Sequence, residues 1–297
     1  MPDAGSTAIA RFLTFLDRTT SRVIPLAVAN SVSLPVADAV CALMPGKREI
    51  ALRNYARVLG RSADDPIVAR TVRECFRHYG RYAAEILHLQ GWGTEDVLDR
   101  VDVDGAEYLD EAAAQGRGVI FVSGHMGSTE VAASLVVLRG FRITSVAERL
   151  RPAWLMDYVV ESRRRMGITL MPATGAGVSL IRILRKGGMV ALVVDAGVDG
   201  IASVPVTLFG AEASFPEGPA RLARLTGAPI VFGMAGRLRG GRYAAHLCQP
   251  ITSNRELSAD ADVAEMTQKI ATTFESFVRR YPGQWYAFRD IWAPRPA

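Results

Sequence analysis

The chain has 297 residues, 49% of them apolar, with a formal net charge of +5. That length and apolar content can bury a sizeable core in one large domain, or in one domain with a helical appendage. The three cysteines, Cys41, Cys75 and Cys248, are far apart and lack ligand-like spacing. This argues against a disulfide framework or a zinc site and fits a reducing compartment. Lysine occurs only at positions 47, 186 and 269, and every other basic residue is arginine. Genomic base composition explains such a bias, and so does a need to pair with phosphate, which arginine does well.

No basic stretch leads into a clean apolar run with a small-residue cleavage site, so a secretory signal is not expected. Near the start, Phe12, Leu13, Phe15 and Leu16 stand beside Arg11, Arg18 and Arg22. The apolar stretch from Val23 to Met44 is interrupted by Pro25, Asn30, Ser31, Ser33, Pro35 and Asp38. Those polar groups are costly in hydrocarbon, so the stretch reads as two short amphipathic segments rather than a span. Residues 1–100 read as a helical, membrane-docking region. Asp64-Asp65-Pro66 marks a helix start, with a capping carboxylate and a proline just inside. Behind it, Val68, Val72, Cys75, Phe76, Tyr79, Tyr82, Ala83, Ile86 and Leu87 keep the three-and-four spacing of one buried stripe.

From Val101 the texture becomes short apolar runs alternating with helical patterns. Strands are expected at 119–123, 142–147, 168–171, 189–194, 204–209, 230–235 and 243–248. Helices are expected at 106–114, 127–138, 153–166, 178–186, 218–225 and 261–280. Alternation of this kind implies an α/β fold, with a mixed, largely parallel central sheet flanked by helices. Runs such as Val190-Ala191-Leu192-Val193-Val194 fit strands buried on both faces. Residues 101–297 therefore read as the α/β core, integrated with the helical region into one domain.

The most informative segment is Gly118-Val-Ile-Phe-Val-Ser-Gly-His125-Met-Gly-Ser-Thr-Glu130. A buried strand ends in Ser123-Gly124, presents His125, and passes through Gly127 and Ser128 into a helix. Open α/β sheets place their ligand crevices at such strand ends. The small residues around His125 would let a substrate approach the backbone closely. Positions five apart on an ideal helix point about 140° apart. His125 must then precede the helix, with Glu130 in its first turns pointing back to hold one ring nitrogen. His78 and His88 lie in the helical region and His246 in a late strand, and none has this setting. Asp195 ends another buried strand and would face the same crevice, as a substrate-positioning group or as a turn residue. Neither Ser123 nor Ser128 sits in the elbow that a serine hydrolase needs, and the histidines and aspartates do not cluster as in a metal phosphoesterase.

His125-x4-Glu130 after an apolar strand resembles the H-x4-D/E motif of glycerolipid-type acyltransferases. Further blocks follow in order: Arg149, Arg163-Arg-Arg-Met-Gly167, Leu192-Val-Val-Asp195, Leu208-Phe209-Gly210, Gly218-Pro-Ala-Arg-Leu-Ala223, Thr226-Gly-Ala-Pro-Ile230 and Pro282-Gly-Gln-Trp-Tyr286. Together they resemble the bacterial lipid A biosynthesis (lauroyl/myristoyl) acyltransferases, including the phosphatidylinositol mannoside acyltransferases, over roughly residues 45 to 292.

The resemblance implies a fatty acyltransferase with a glycerolipid acyltransferase-like fold. In it, His125 is the general base, supported by Glu130. The acceptor hydroxyl attacks an acyl-CoA or acyl carrier protein thioester directly, with no cofactor, metal or nucleic acid involved. Gly127, Ser128, Arg149, Arg163 and Asp195 are the substrate-binding candidates. Arg149, Arg163 or the first amides of the 127–138 helix would stabilise the oxyanion. The acceptor is a lipid, either a phosphatidylinositol mannoside or a lipid A precursor, and the enzyme would sit peripherally on the cytoplasmic face of the cell membrane.

The chain also departs from these families. Met126, Ser128 and Thr129 replace an aromatic and asparagine–tryptophan, and Ala196 follows the strand-end acid. Pro205 and Thr207 stand where some mannoside acyltransferases carry a second acid. Asp195 or Asp199 could join the pair, but the expectation rests on Glu130. A catalytically retired lipid-binding protein is the non-enzymatic alternative, and an intact His125–Glu130 pair speaks against it.

Overall fold

A computed structural model describes residues 25–88, 94–147, 153–195 and 201–292. Among the described residues three helices come first: α1 (Leu26–Leu43), α2 (Pro45–Leu59) and α3 (Pro66–His88). Asp65 opens α3 as expected, its Oδ1 accepting the Ile67 N–H at 2.7 Å. The single helix α1 replaces the two segments expected there. Pro35 lies within it, and its polar side chains find local partners: Ser31 and Ser33 donate to the Ala27 and Asn30 carbonyls. Asp38 takes bidentate pairs from Arg73 and Arg77 of α3. Once paired in this way, Ser31, Ser33 and Asp38 no longer break the helix.

The α3 stripe holds over its first half, where Val68, Val72, Cys75 and Phe76 are buried. Beyond that it rotates. Tyr79 is exposed, while Ala84 and Glu85 are buried, because Glu85 is drawn to Arg237.

The remaining elements are α4 (Thr94–Arg100), β1 (Val101–Asp104), α5 (Ala106–Ala114), β2 (Val119–Ser123), α6 (Thr129–Leu138), β3 (Ile143–Ala147), α7 (Ala153–Arg165), β4 (Ile168–Pro172), α8 (Gly177–Arg185) and β5 (Met189–Val193). After these come β6 (Ser203–Leu208), β7 (Ala211–Pro216), α9 (Gly218–Thr226), β8 (Ile230–Arg237), β9 (Tyr243–Leu247) and α10 (Ala259–Arg280). Seven strands form one sheet in the order β1-β9-β8-β2-β5-β3-β4. Its pairings are parallel except β8 with β9. The largely parallel, helix-flanked α/β sheet is thus present, and β6–β7 form a separate antiparallel hairpin.

Strand alternation splits the core. Ile120 and Val122 face the layer that includes Tyr55, Val72, Leu184, Ala220 and Phe274. Val119 and Phe121 face the opposite layer, with Leu109 and Val136. Tyr55 and Val72 belong to the helical region, so α2 and α3 share the core of the sheet.

Candidate active site

Register alone brings the site together. In the parallel pair β2–β5, Ser123 lies opposite Val193, and the Val194 N–H donates to the Ser123 carbonyl at 3.1 Å. Two residues on, the chain places His125 opposite Asp195. Asp195 Oδ1 accepts the His125 backbone N–H at 2.8 Å and lies 3.0 Å from ring nitrogen Nδ1. A carboxylate can only accept, so Nδ1 carries a proton, and in the neutral ring Nε2 holds the lone pair. The imidazole is half exposed, while the Asp195 side chain is 2% exposed. Asp195 Oδ2 accepts the Trp285 indole N–H at 2.9 Å. Burial pushes this carboxyl upward, but the His125 charge and the hydrogen bonds from His125 and Trp285 outweigh it. They hold Asp195 below the ordinary carboxylate range.

Glu130 lies elsewhere, which corrects the expected hydrogen bond from His125. It occupies the first turn of α6 and is buried, with Arg163 Nη1 of α7 2.6 Å from its Oε2. That contact works through charge rather than an aligned N–H···O bond. Burial raises the Glu130 carboxyl above its usual range, and the Arg163 guanidinium offsets part of the rise. Arg163 is therefore occupied with Glu130, and it also lies near Tyr82.

Gly127 and Ser128 carry the backbone. Gly127 has φ +59°, and a Cβ there would lie 2.1 Å from the Ala235 carbonyl oxygen, so its close approach is to β8. Its N–H donates to the Gln284 carbonyl and its carbonyl accepts the Tyr286 hydroxyl. Ser128 is fully buried; its N–H donates to the Ala235 carbonyl and its Oγ accepts the Val131 N–H as the cap of α6. Of the first amides of the 127–138 segment, expected to meet an oxyanion, those of Gly127, Ser128 and Val131 are thus already committed. A Cβ at Gly124 would lie 2.4 Å from the Phe274 ring, so that space is also filled from within. Arg149 and Asp199 lie outside the described residues, as does the segment with Phe12 and Arg18.

Sequence reasoning noted the closing segment as a family block but missed its place in the site. Residues 284–286 run against the His125 loop, with Met126 bridged to Trp285 and the Tyr286 N–H donating to the His125 carbonyl at 2.8 Å. Behind it lies a buried polar cluster. Arg237 forms a two-pronged pair with Glu85 at 2.6 Å on each prong and donates to Tyr286, while Tyr243 donates to Glu85. The available signal was the Pro282-Gly-Gln-Trp-Tyr286 block, two of whose residues have a polar tip that needs a partner when buried. The other described histidines are differently placed. Burial, with Arg237 and Arg81 nearby, pushes His78 down to about 3, and His246 lies 3.1 Å from the Tyr281 hydroxyl.

Residues 6–293 match the family model described as bacterial lipid A biosynthesis acyltransferase. The chain belongs to that family. It is an acyltransferase of the lipid A and phosphatidylinositol mannoside type. The phosphatidylinositol mannoside acyltransferase of Mycobacterium tuberculosis (strain CDC 1551 / Oshkosh) is 30% identical over 253 residues, 81% of this chain and 75% of that one. The protein of the same name from Mycolicibacterium smegmatis is 28% identical over 275 residues, 91% of this chain and 87% of that one. A solved 1-acyl-sn-glycerophosphate acyltransferase from Thermotoga maritima is 16% identical, covering 88% of this chain and 99% of that one, with a TM-score of 0.41. For a member of this acyltransferase family, His125 stands at the carboxyl end of an internal strand, where ligand crevices form in open α/β sheets.

Proposed function

We propose that this acyltransferase moves a fatty acyl chain from an acyl-CoA or acyl carrier protein thioester onto a hydroxyl of a glycolipid, a phosphatidylinositol mannoside being the favoured acceptor. The observation that carries this reading is the His125–Asp195 pair at the β2–β5 strand ends. Nε2 takes the proton of the acceptor hydroxyl as its oxygen attacks the thioester carbonyl. The tetrahedral intermediate collapses, the C–S bond breaks, and the imidazolium returns the proton to the departing thiolate. No acyl-enzyme forms. Asp195 holds the ring in the required tautomer and stabilises the imidazolium. Glu130 and Arg163 act behind the loop, as an ion pair locking α6 to α7. The names of the mycobacterial relatives support the choice of acceptor, and a lipid A precursor is the alternative.

Such an acceptor stays in its bilayer, so the site must work at a membrane surface. Helix α1 supports peripheral attachment, which we assign to the cytoplasmic face. By length and composition it could cross a membrane, with mean hydropathy 1.6 and 6% of it buried. Its Asp38, however, is tied to Arg73 and Arg77, which keeps one face on the protein. Val28, Val32, Val36 and Leu43 are exposed on the other side, an apolar stripe suited to the headgroup boundary. Washing native membranes with high salt and alkaline carbonate tests this: release supports peripheral attachment, and release by detergent alone refutes it. The transferase reading is tested by free-thiol release from a long-chain acyl-CoA, given the mannoside acceptor or a lipid A precursor in turn. A retired binding protein would release no thiol with either.

A further inference from the structure

We propose that Trp285 is a positioning residue for acyl transfer, its indole N–H fixing the buried Asp195 carboxylate in the orientation and the ionised form that His125 needs. This rests on the reading of His125 and Asp195 given above. Asp195 Oδ1 already serves both the backbone N–H and Nδ1 of His125, and Oδ2 meets Trp285 Nε1 at 2.9 Å. Without a partner on Oδ2, the carboxylate could rotate about its last torsion or take up a proton in its buried setting. An indole nitrogen donates and cannot accept. A protonated oxygen facing Trp285 would find no acceptor there, whereas a serine or tyrosine hydroxyl could accommodate either form. The donor therefore selects the anion.

The donor itself is rigid. Trp285 is 1% exposed, and its ring stands edge-on to Tyr55, Phe274 and Trp292 with centroids 6.0, 5.7 and 6.2 Å away. Its carbonyl oxygen lies 2.5 Å from the Tyr55 hydroxyl and 3.1 Å from Cys75 Sγ. Burial pushes that thiol up to about 12, so it stays protonated and able to donate. The helical region and the closing segment thus meet at the residue behind the catalytic acid.

The test separates the hydrogen bond from the packing. Trp285→Phe removes both, so the decisive variant replaces the indole by benzothiophene, which keeps the bicyclic ring and carries sulfur in place of N–H. Both are assayed in the full chain with a long-chain acyl-CoA, beside Asp195→Asn. The expected result for the benzothiophene form is a folded protein with an unchanged KM for the donor. Its kcat should fall ~10–100-fold, as for loss of a hydrogen bond to a charged group. The gap in urea midpoint between this form and its Asp195→Asn variant should close at a higher pH than in the wild-type pair, because Asp195 then protonates more readily. Added to Asp195→Asn, the replacement should cost nothing further. A wild-type kcat in the benzothiophene form, with the midpoint gap closing at the wild-type pH, would overturn the proposal, as would a further loss on the Asp195→Asn background. If Asp195→Asn is itself fully active, the reading of Asp195 as the orienting acid fails, and the positioning role falls with it.

Discussion

Asp195 and Glu130 are both buried acids, one beside His125 in space and the other five residues along the chain, and their surroundings give them different tasks. Asp195 touches the imidazole, so Asp195→Asn should keep the fold and lower turnover by at least ~10²-fold, about the lower bound for general acid–base support. His125→Ala should lose ~10²–10⁴-fold in turnover while remaining folded, because the ring is half exposed. Retention of more than a tenth of the wild-type rate in folded His125→Ala protein would contradict its role as base. Glu130→Gln leaves Arg163, whose side chain is 19% exposed, without its counter-charge, at a cost below the ~3–5 kcal/mol of breaking a fully buried pair. Its loss should therefore appear in the denaturant midpoint, with the folded fraction more active than Asp195→Asn.

The sign of the pH effect follows from the depressed Asp195 pKa. A carboxyl whose folded pKa lies below its unfolded value of about 3.9 stabilises fully above that value and loses the contribution as pH falls through the folded pKa. The gap in urea midpoint between wild type and Asp195→Asn should be open at neutral pH and narrow below about pH 4. A gap that widens on acidification would contradict the assignment.

At the scale of elements, α1 offers a separable prediction. Val32 and Val36 are 60% and 57% exposed, so the double change Val32→Asp, Val36→Asp should leave stability in water nearly unaltered. It should weaken flotation with anionic vesicles, since the stripe would then carry charge toward lipid phosphates. Unchanged flotation would exclude α1 as the contact. Legibility also varied by element. The strands with apolar runs were evident from sequence, including β2, β5 and β8, and so were the helices behind them. β1 was not, because Val101-Asp-Val-Asp104 buries only its first residue, and the pairing with β9 that makes it a strand is a tertiary contact. β7 was hidden by Glu212, Ser214 and Pro216, and it forms only as the partner of β6. α1 was broken in two because the partners of Asp38 lie 35 and 39 residues away on α3.

Across the whole molecule, the sequence singled out His125, the proposed base, but offered Asp195 only as an alternative to Glu130 for its partner. His125 announces itself through a strand end and flanking glycines, all within one segment. Glu130 attracted the pairing because it is close in sequence, whereas Asp195 reaches the ring through a sheet register linking residues 70 positions apart. Trp285 arrives from 90 positions beyond Asp195, by a route that no local pattern encodes. The assembly therefore depends on long-range contacts among β2, β5, α3 and the closing segment, and the chemistry inherits that dependence. The most direct test is the rate of free-thiol release from a long-chain acyl-CoA in the presence of a phosphatidylinositol mannoside acceptor. It should be measured for the wild type, Asp195→Asn and Glu130→Gln, and corrected for the folded fraction of each. The expected result is acceptor-dependent release that falls by at least ~10²-fold in Asp195→Asn and far less in Glu130→Gln. Equal activity of wild type and Asp195→Asn, or a greater loss in Glu130→Gln, would contradict a site built on His125 and Asp195.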